Sequence, residues 1–192
     1  MEENMETRKI GVFVGSLRKE SFSMKMAKTL IQLAPASFAM EIVELSELTI
    51  YNQDLDDQEY PPAFWTAFRD RVKTFDAVLF VTPEYNRSVP AVLKNALDIG
   101  SRPFGKSAWN GKPGAVVSIS PGAMGAFGAN HHLRQSLVFL NVPVMPQPEA
   151  YIGNAAALFD DKGVLVNGKT AEFLQQFMDS FAQWVEAISH RI

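Results

Sequence analysis

Short apolar runs alternate with amphipathic stretches along the whole chain. Residues 9–14 (KIGVFV) form a β-branched and aromatic run that stops at Gly15, the pattern of a buried strand. Ala27, Leu30, Ile31 and Ala34 then recur at i, i+3, i+4 and i+7, one face of a helix, with Ser21 or Ser23 as its N-cap and Pro35 as its stop. Residues 39–45 read as a second strand, and the polar, aperiodic stretch 46–60 as a loop. Pro61 and Pro62 open a helix whose apolar stripe is Trp65, Phe68, Val72 and Phe75. Residues 77–82 (AVLFVT) are the clearest strand, broken by Pro83. The next helix is expected from about Ser88, with Pro90 in its first turn and Val89, Val92, Leu93 and Ala96 along one face. A fourth strand spans 114–120, and a Gly-rich turn leads to a helix carrying Leu133, Leu137 and Leu140. Residues 142–145 are expected to start a fifth strand, and residues 160–163 (DDKG) to make a turn. The last helix puts Leu174, Phe177, Met178, Phe181, Val185 and Ile188 on its buried side.

Strands and helices that alternate in this way imply an α/β domain, its mostly parallel sheet covered on both faces. In such sheets ligands sit beyond the carboxyl ends of the strands, at a topological switch point, so the loops after strands one, three and four carry the candidate chemistry. The length of 192 residues, about 1.3 times a typical domain, favours one domain over 9–192 behind a flexible polar tail, 1–8. The absence of cysteine excludes disulfides, thiolate metal sites, iron–sulfur clusters and cysteine nucleophiles, so any redox chemistry needs a cofactor. Eighteen basic against 21 acidic residues give a net charge of −3, with no footprint for nucleic acid and no basic helix for a membrane surface. No apolar run reaches the ~18 residues of a spanning helix, and the N-terminus lacks a signal-peptide core. A cytoplasmic protein without nucleic-acid or membrane partners is expected.

The loop GSLRKESFS, residues 15–23, offers the hydroxyls of Ser16, Ser21 and Ser23, the guanidinium of Arg18 and the start of a helix, a combination suited to a phosphate. It matches neither GxGxxG nor GxxxxGK[ST], which argues against a dinucleotide fingerprint and a nucleoside triphosphatase loop. The loop after strand three, Pro83-Glu84-Tyr85-Asn86-Arg87-Ser88, sets a ring, an amide, a carboxylate and a guanidinium at a strand end, as recognition of a planar heterocycle requires.

The segment PEYNRSVPAVLKNALD strongly resembles the P-E-Y-N-x-S-x-P-x-x-L-K-N-A-x-D signature of the NADPH-dependent FMN reductase family, and GSLRKESFS resembles that family's phosphate loop. Both stand in the right order, each after an expected strand, and the resemblance is nearest the quinone and chromate reductase branch. It implies a flavodoxin-like three-layer sandwich with a five-stranded parallel sheet of order 2-1-3-4-5 and helices on both faces. It also implies bound FMN, with NADPH or NADH as the hydride donor. By similarity, Ser16, Arg18, Ser21 and Ser23 hold the FMN phosphate. Pro83, Glu84, Tyr85, Asn86 and Arg87 flank the isoalloxazine, largely through backbone groups, and Ser120 approaches its other edge. Arg102 is a candidate contact for the NADPH phosphate or an anionic acceptor. Ser23 replaces a frequent Asn, Arg87 a frequently aromatic residue and Gly100 a frequent Trp, the last expected to open the far side of the pocket.

The activity that this resemblance implies is two-electron reduction of quinones, and of chromate or azo compounds, in which FMN carries the chemistry and no catalytic side chain is named. The rivals are a flavin reductase that releases reduced FMN to a monooxygenase and a non-enzymatic electron carrier. Association as a homodimer or homotetramer is expected from the relatives. His131 and His132 diverge by ~100° on a helix and cannot chelate together, no metal site is expected, and the acidic cluster 54–59 reads as a solvated loop.

Overall fold

The computed structural model describes residues 7–189. Residues 1–6 of the expected tail lie outside the described residues, and Arg8 already stands in the first strand. Five parallel strands form one sheet in the order 2-1-3-4-5: β1 (Arg8–Val14), β2 (Phe38–Ile42), β3 (Ala77–Thr82), β4 (Gly114–Ile119) and β5 (Ala150–Ile152). In β3, Ala77, Leu79 and Val81 face one layer of helices while Val78 and Phe80 face the other, so every position of the strand is buried.

The first layer is α1 (Phe22–Gln32) and α6 (Gly168–Ser189), whose Met26, Leu30, Phe177 and Phe181 cover Val12, Leu79 and Val117. The second comprises α3 (Ala63–Lys73), α4 (Ala91–Gly100) and α5 (Phe127–Phe139), which enclose Trp65, Trp109, Phe13 and Phe80. Full burial of such side chains contributes about 1.5–3 kcal/mol each. Ser21 caps α1, its hydroxyl accepting from the Met24 N–H at 3.1 Å.

Three boundaries differ from the sequence pattern, each for a local reason. Strand β2 ends at Ile42 because Glu44 folds its carboxylate back onto the N–H groups of Leu45 and Ser46, at 2.9 and 2.8 Å. Residues 142–145 do not start the fifth strand: Val144 makes one bridge to Gly114, and the pairing lapses among Pro143, Pro146 and Pro148, which lack amide donors. The strand forms later, at Ala150. Helix α4 begins at Ala91 because Tyr85 and Ser88 close a tight turn by exchanging both backbone bonds, at 3.1 and 3.0 Å. On the last helix, Ile188 is half-buried.

The acidic stretch is not simply solvated. Asn52 caps a short helix, α2 (Gln53–Asp56), and Asp56 makes a bidentate pair with Arg69 at 2.7 and 2.8 Å, the side chains only 5% and 7% exposed. Arg69 Nε also donates to the Ile99 carbonyl at 2.9 Å. Asn95 pins the same segment from α4: its amide donates to the carbonyls of Leu48 and Thr49, and its oxygen accepts the Tyr51 N–H at 2.8 Å. Spacing alone does not single out one carboxylate among several, nor mark Arg69 as its partner 13 residues on.

Truncating Asp56 strands a buried guanidinium. Asp56→Ala is expected to lower unfolding stability by about 3–5 kcal/mol in urea titrations, whereas Asp54→Ala, at an exposed position, changes it by less than about 0.5 kcal/mol.

Candidate functional site

The carboxyl ends of β1, β3 and β4 launch the three loops that carry the candidate residues. The first two start in contact: Gly15 N–H donates to Val81 O at 2.9 Å, and a Cβ on Gly15 would meet Pro83 Cδ at 2.9 Å. Between them lies a cleft of about 360 Å³ lined by Gly15, Ser16, Leu17, Arg18 and Tyr85, with Pro90, Ala91 and Val92 from the start of α4. The structure therefore brings Ser16, Arg18 and Tyr85 to one cavity. Leu17 and the α4 residues were not among the expected ligands; they enter because a helix start faces the loop, a placement set by the sheet order.

Ser21 is engaged by its own helix and Ser23 is the second residue of α1; both are buried, and neither lines the cleft. The first turn of α1 also presents N–H groups without intrahelical acceptors, together with the positive end of the helix dipole. The Ser16 hydroxyl, these amides and the Arg18 fork make a donor set that fits a phosphate dianion.

The second loop is a tight turn with Asn86 and Arg87 both left-handed, at φ 51° and 66°. It holds Tyr85 half-exposed at the cleft and carries Arg87 out to solvent, 82% exposed. Glu84 turns the other way. Its side chain is 14% exposed, its Oε2 accepts the Ala129 N–H of α5 at 3.0 Å, and Arg87 lies 3.7 Å from its Oε1. Ser88 Oγ meets His132 Nδ1 at 3.0 Å, a second tie to the same helix.

Ser120 stands on the third loop, its hydroxyl donating to Gly122 O at 3.1 Å and its N–H to Ile152 O at 3.0 Å. Gly125 closes this turn at φ +57°, where a Cβ would come within 2.5 Å of the Tyr151 backbone. The adjacent histidines take separate partners. His131 Nε2 lies 2.9 Å from Tyr151 Oη, in an aromatic group with Phe127. Burial and the neighbouring Glu149 carboxylate push the Tyr151 phenol up to about 12, so it stays protonated.

Arg102 is not part of the cleft. It lies past the far end of α4, about 15 Å along a ten-residue helix, and lines a separate groove of about 820 Å³ between α4 and α5 that reaches back to Ser88 and His132. Tyr51, whose phenol is pushed up chiefly by burial, lies between Arg102 and Asp56. Gly100 opens no pocket: a Cβ there would fall 2.4 Å from Trp109 Nε1, because the Trp109 indole already fills that space.

The family model described as NADPH-dependent FMN reductase matches residues 8–157, a span that holds all three loops. The chain belongs to the NADPH-dependent FMN reductase family. Among its relatives is a quinone reductase of Pseudomonas putida, 62% identical over 92% of this chain and 94% of the relative. A 2-hydroxy-1,4-benzoquinone reductase of a Burkholderia species is 46% identical over 92% of this chain and 96% of its own. Among solved structures, the flavoenzyme NAD(P)H:(acceptor) oxidoreductase FerB of Paracoccus denitrificans superposes with a TM-score of 0.87 at 40% identity, covering 94% of this chain and 98% of that one. FMN and a nicotinamide nucleotide are the cofactors of this FMN reductase, and the donor set around the first loop fits the FMN phosphate.

Proposed function

We propose that this FMN reductase is an NAD(P)H:quinone oxidoreductase that retains its FMN and reduces quinones, and with them chromate or azo compounds, by two electrons. What carries the assignment is the cleft in which the Ser16 and Arg18 loop faces the rigid Tyr85 turn. When bound, FMN would supply the two-electron redox chemistry between NAD(P)H and the acceptor. The chain's own residues bind and orient. Ser16, Arg18, Ser21 and Ser23 hold the phosphate. Pro83, Glu84, Tyr85, Asn86 and Arg87 present backbone groups and a ring to the isoalloxazine, and Ser120 meets its other edge. The left-handed pair Asn86 and Arg87 fixes where the turn's amides point, so those donors are set before ligand arrives.

A second copy of the chain is the proposed partner, seated on the groove between α4 and α5. Phe104 and Phe139 on its walls are 87% and 86% exposed, and Val138 adds to the same helix. Aromatic rings so exposed are characteristic of an interface. The charges nearby are largely self-paired, as in Lys94 with Asp98 at 2.7 Å, so like copies can approach without opposing fields. Arg102, on the groove wall, is proposed to contact an anionic group of the nicotinamide nucleotide or acceptor. One domain over 9–192 and a cytoplasmic location, where NAD(P)H is supplied, complete the proposal. No described helix is long and apolar enough to cross a membrane.

An anaerobic absorption spectrum of the dialysed protein tests the activity. Flavin bands should persist through dialysis, bleach with NADPH and return with benzoquinone; a colourless protein that reduces added FMN would instead make it a flavin-releasing enzyme, and bound flavin that NADPH cannot bleach an electron carrier. Arg102→Ala is expected to raise KM for NADPH about tenfold with kcat retained, the loss of one charge-assisted contact; an unchanged KM removes that role. In light scattering, Phe139→Glu should shift the protein towards monomer mass, and a wild type already monomeric would exclude the docking.

A further inference from the structure

We propose that Glu84 is a positioning residue that couples the two loops on either side of the flavin ring, by serving as the N-terminal cap that helix α5 does not have in its own sequence. This rests on the FMN placement proposed for the cleft and adds a role to a residue expected to act through its backbone.

Helix α5 starts without a local cap. Its N-cap position is Ala126, left-handed at φ 60°, which has no side-chain oxygen to accept from the first turn. The capping carboxylate comes from 45 residues upstream, where Glu84 Oε2 accepts the Ala129 N–H at 3.0 Å. An acidic group at this end of a helix is also favoured by the dipole. The approach is close enough to require glycine at position 128. A Cβ there would come within 2.8 Å of Arg87 O and 3.0 Å of Glu84 Oε2. One turn further along, Ser88 Oγ meets His132 Nδ1 at 3.0 Å. The turn after β3 is thus fastened at both ends to the helix that follows the Ser120 turn. Between those fastenings stand Asn86 and Arg87, the left-handed pair of the two-residue turn that Tyr85 and Ser88 close with two backbone bonds. The Glu84 contact ties that turn to the start of α5, so losing it should free both loops together.

The test uses FMN titrations followed by flavin fluorescence, and amide hydrogen exchange on the flavin-free protein. Glu84→Ala is expected to raise the Kd for FMN at least tenfold and to speed exchange in both 85–88 and 127–130. Glu84→Gln, which keeps an acceptor oxygen, should stay within about threefold of wild type in both. Faster exchange confined to 127–130 with unchanged FMN affinity would make Glu84 a cap and nothing more, overturning the coupling. If Glu84→Ala does not fold, Gly128→Ala presses on the same contact from the helix side and should give the same paired change; unchanged affinity there overturns the coupling as well. Arg18→Ala separates the two levels of inference. Loss of FMN binding in Arg18→Ala without loss in Glu84→Ala rejects the coupling alone, whereas intact binding in Arg18→Ala rejects the phosphate placement on which it rests.

Discussion

The pairing of β1 with β3 is the constraint that creates the site. The chain leaves β1 through α1 on one face of the sheet, adds β2 at the edge, and returns across to β3 through α3 on the other face. Right-handed crossovers leave no other arrangement for a parallel sheet of this order. The carboxyl ends of two hydrogen-bonded neighbours therefore send their chains to opposite faces, and a crevice opens between them. Gly15 bonded to Val81 is the last rung before that parting. The phosphate-suited loop and the Tyr85 turn grow from a single ladder, which holds them in fixed relation.

A crevice alone does not hold a flat ring in one orientation. The turn at its wall is built from left-handed Asn86 and Arg87, a geometry costing of order 1–3 kcal/mol per strained residue and less for Asn. That strain is offset by the two backbone bonds between Tyr85 and Ser88, and the turn is tied to α5 by the Glu84 carboxylate on Ala129 and the Ser88 hydroxyl on His132. The third loop is fixed differently, by Gly125 lying flat against the Tyr151 backbone and by Ser120 bonded to Ile152. Both walls are thereby tied to elements of the scaffold, and the backbone donors between them need little reorganisation when a ligand binds.

Much of this was legible because it lies in local pattern. The all-apolar run of β3, the stripe on α3 and the serine cap of α1 each depend on residues within a few positions, and the structure places them where the spacing does. What could not be read were contacts between residues far apart. Asp56 and Arg69 are 13 residues apart and Glu84 and Ala129 are 45 apart, and each of these residue types has an exposed reading that fits the sequence equally well. The expectation that 142–145 start strand five fails for a local reason, three prolines in six residues from Pro143 to Pro148. Gly100 misled because only the fold shows Trp109 entering from nine residues downstream to fill the space.

Helix α4 explains why the signature segment extends past the turn into PAVLKNALD. Its N-cap Pro90 and first residues Ala91 and Val92 form a wall of the cleft, while Leu93 and Ala96 are buried against the sheet. Asn95 satisfies three backbone groups of the segment before α2, which would otherwise lie unpaired against the protein. That segment places Tyr51 over Trp65 and beside Arg102, and the Asp56 pair with Arg69 locks it to the carbonyl of Ile99 in the last turn of α4. The exposed Lys94–Asp98 pair adds little energy by itself. One helix thus sets both the start of the cleft and the rim that carries Arg102. A change at Asn95 would act on the distant rim through the backbone it anchors, without touching the cleft.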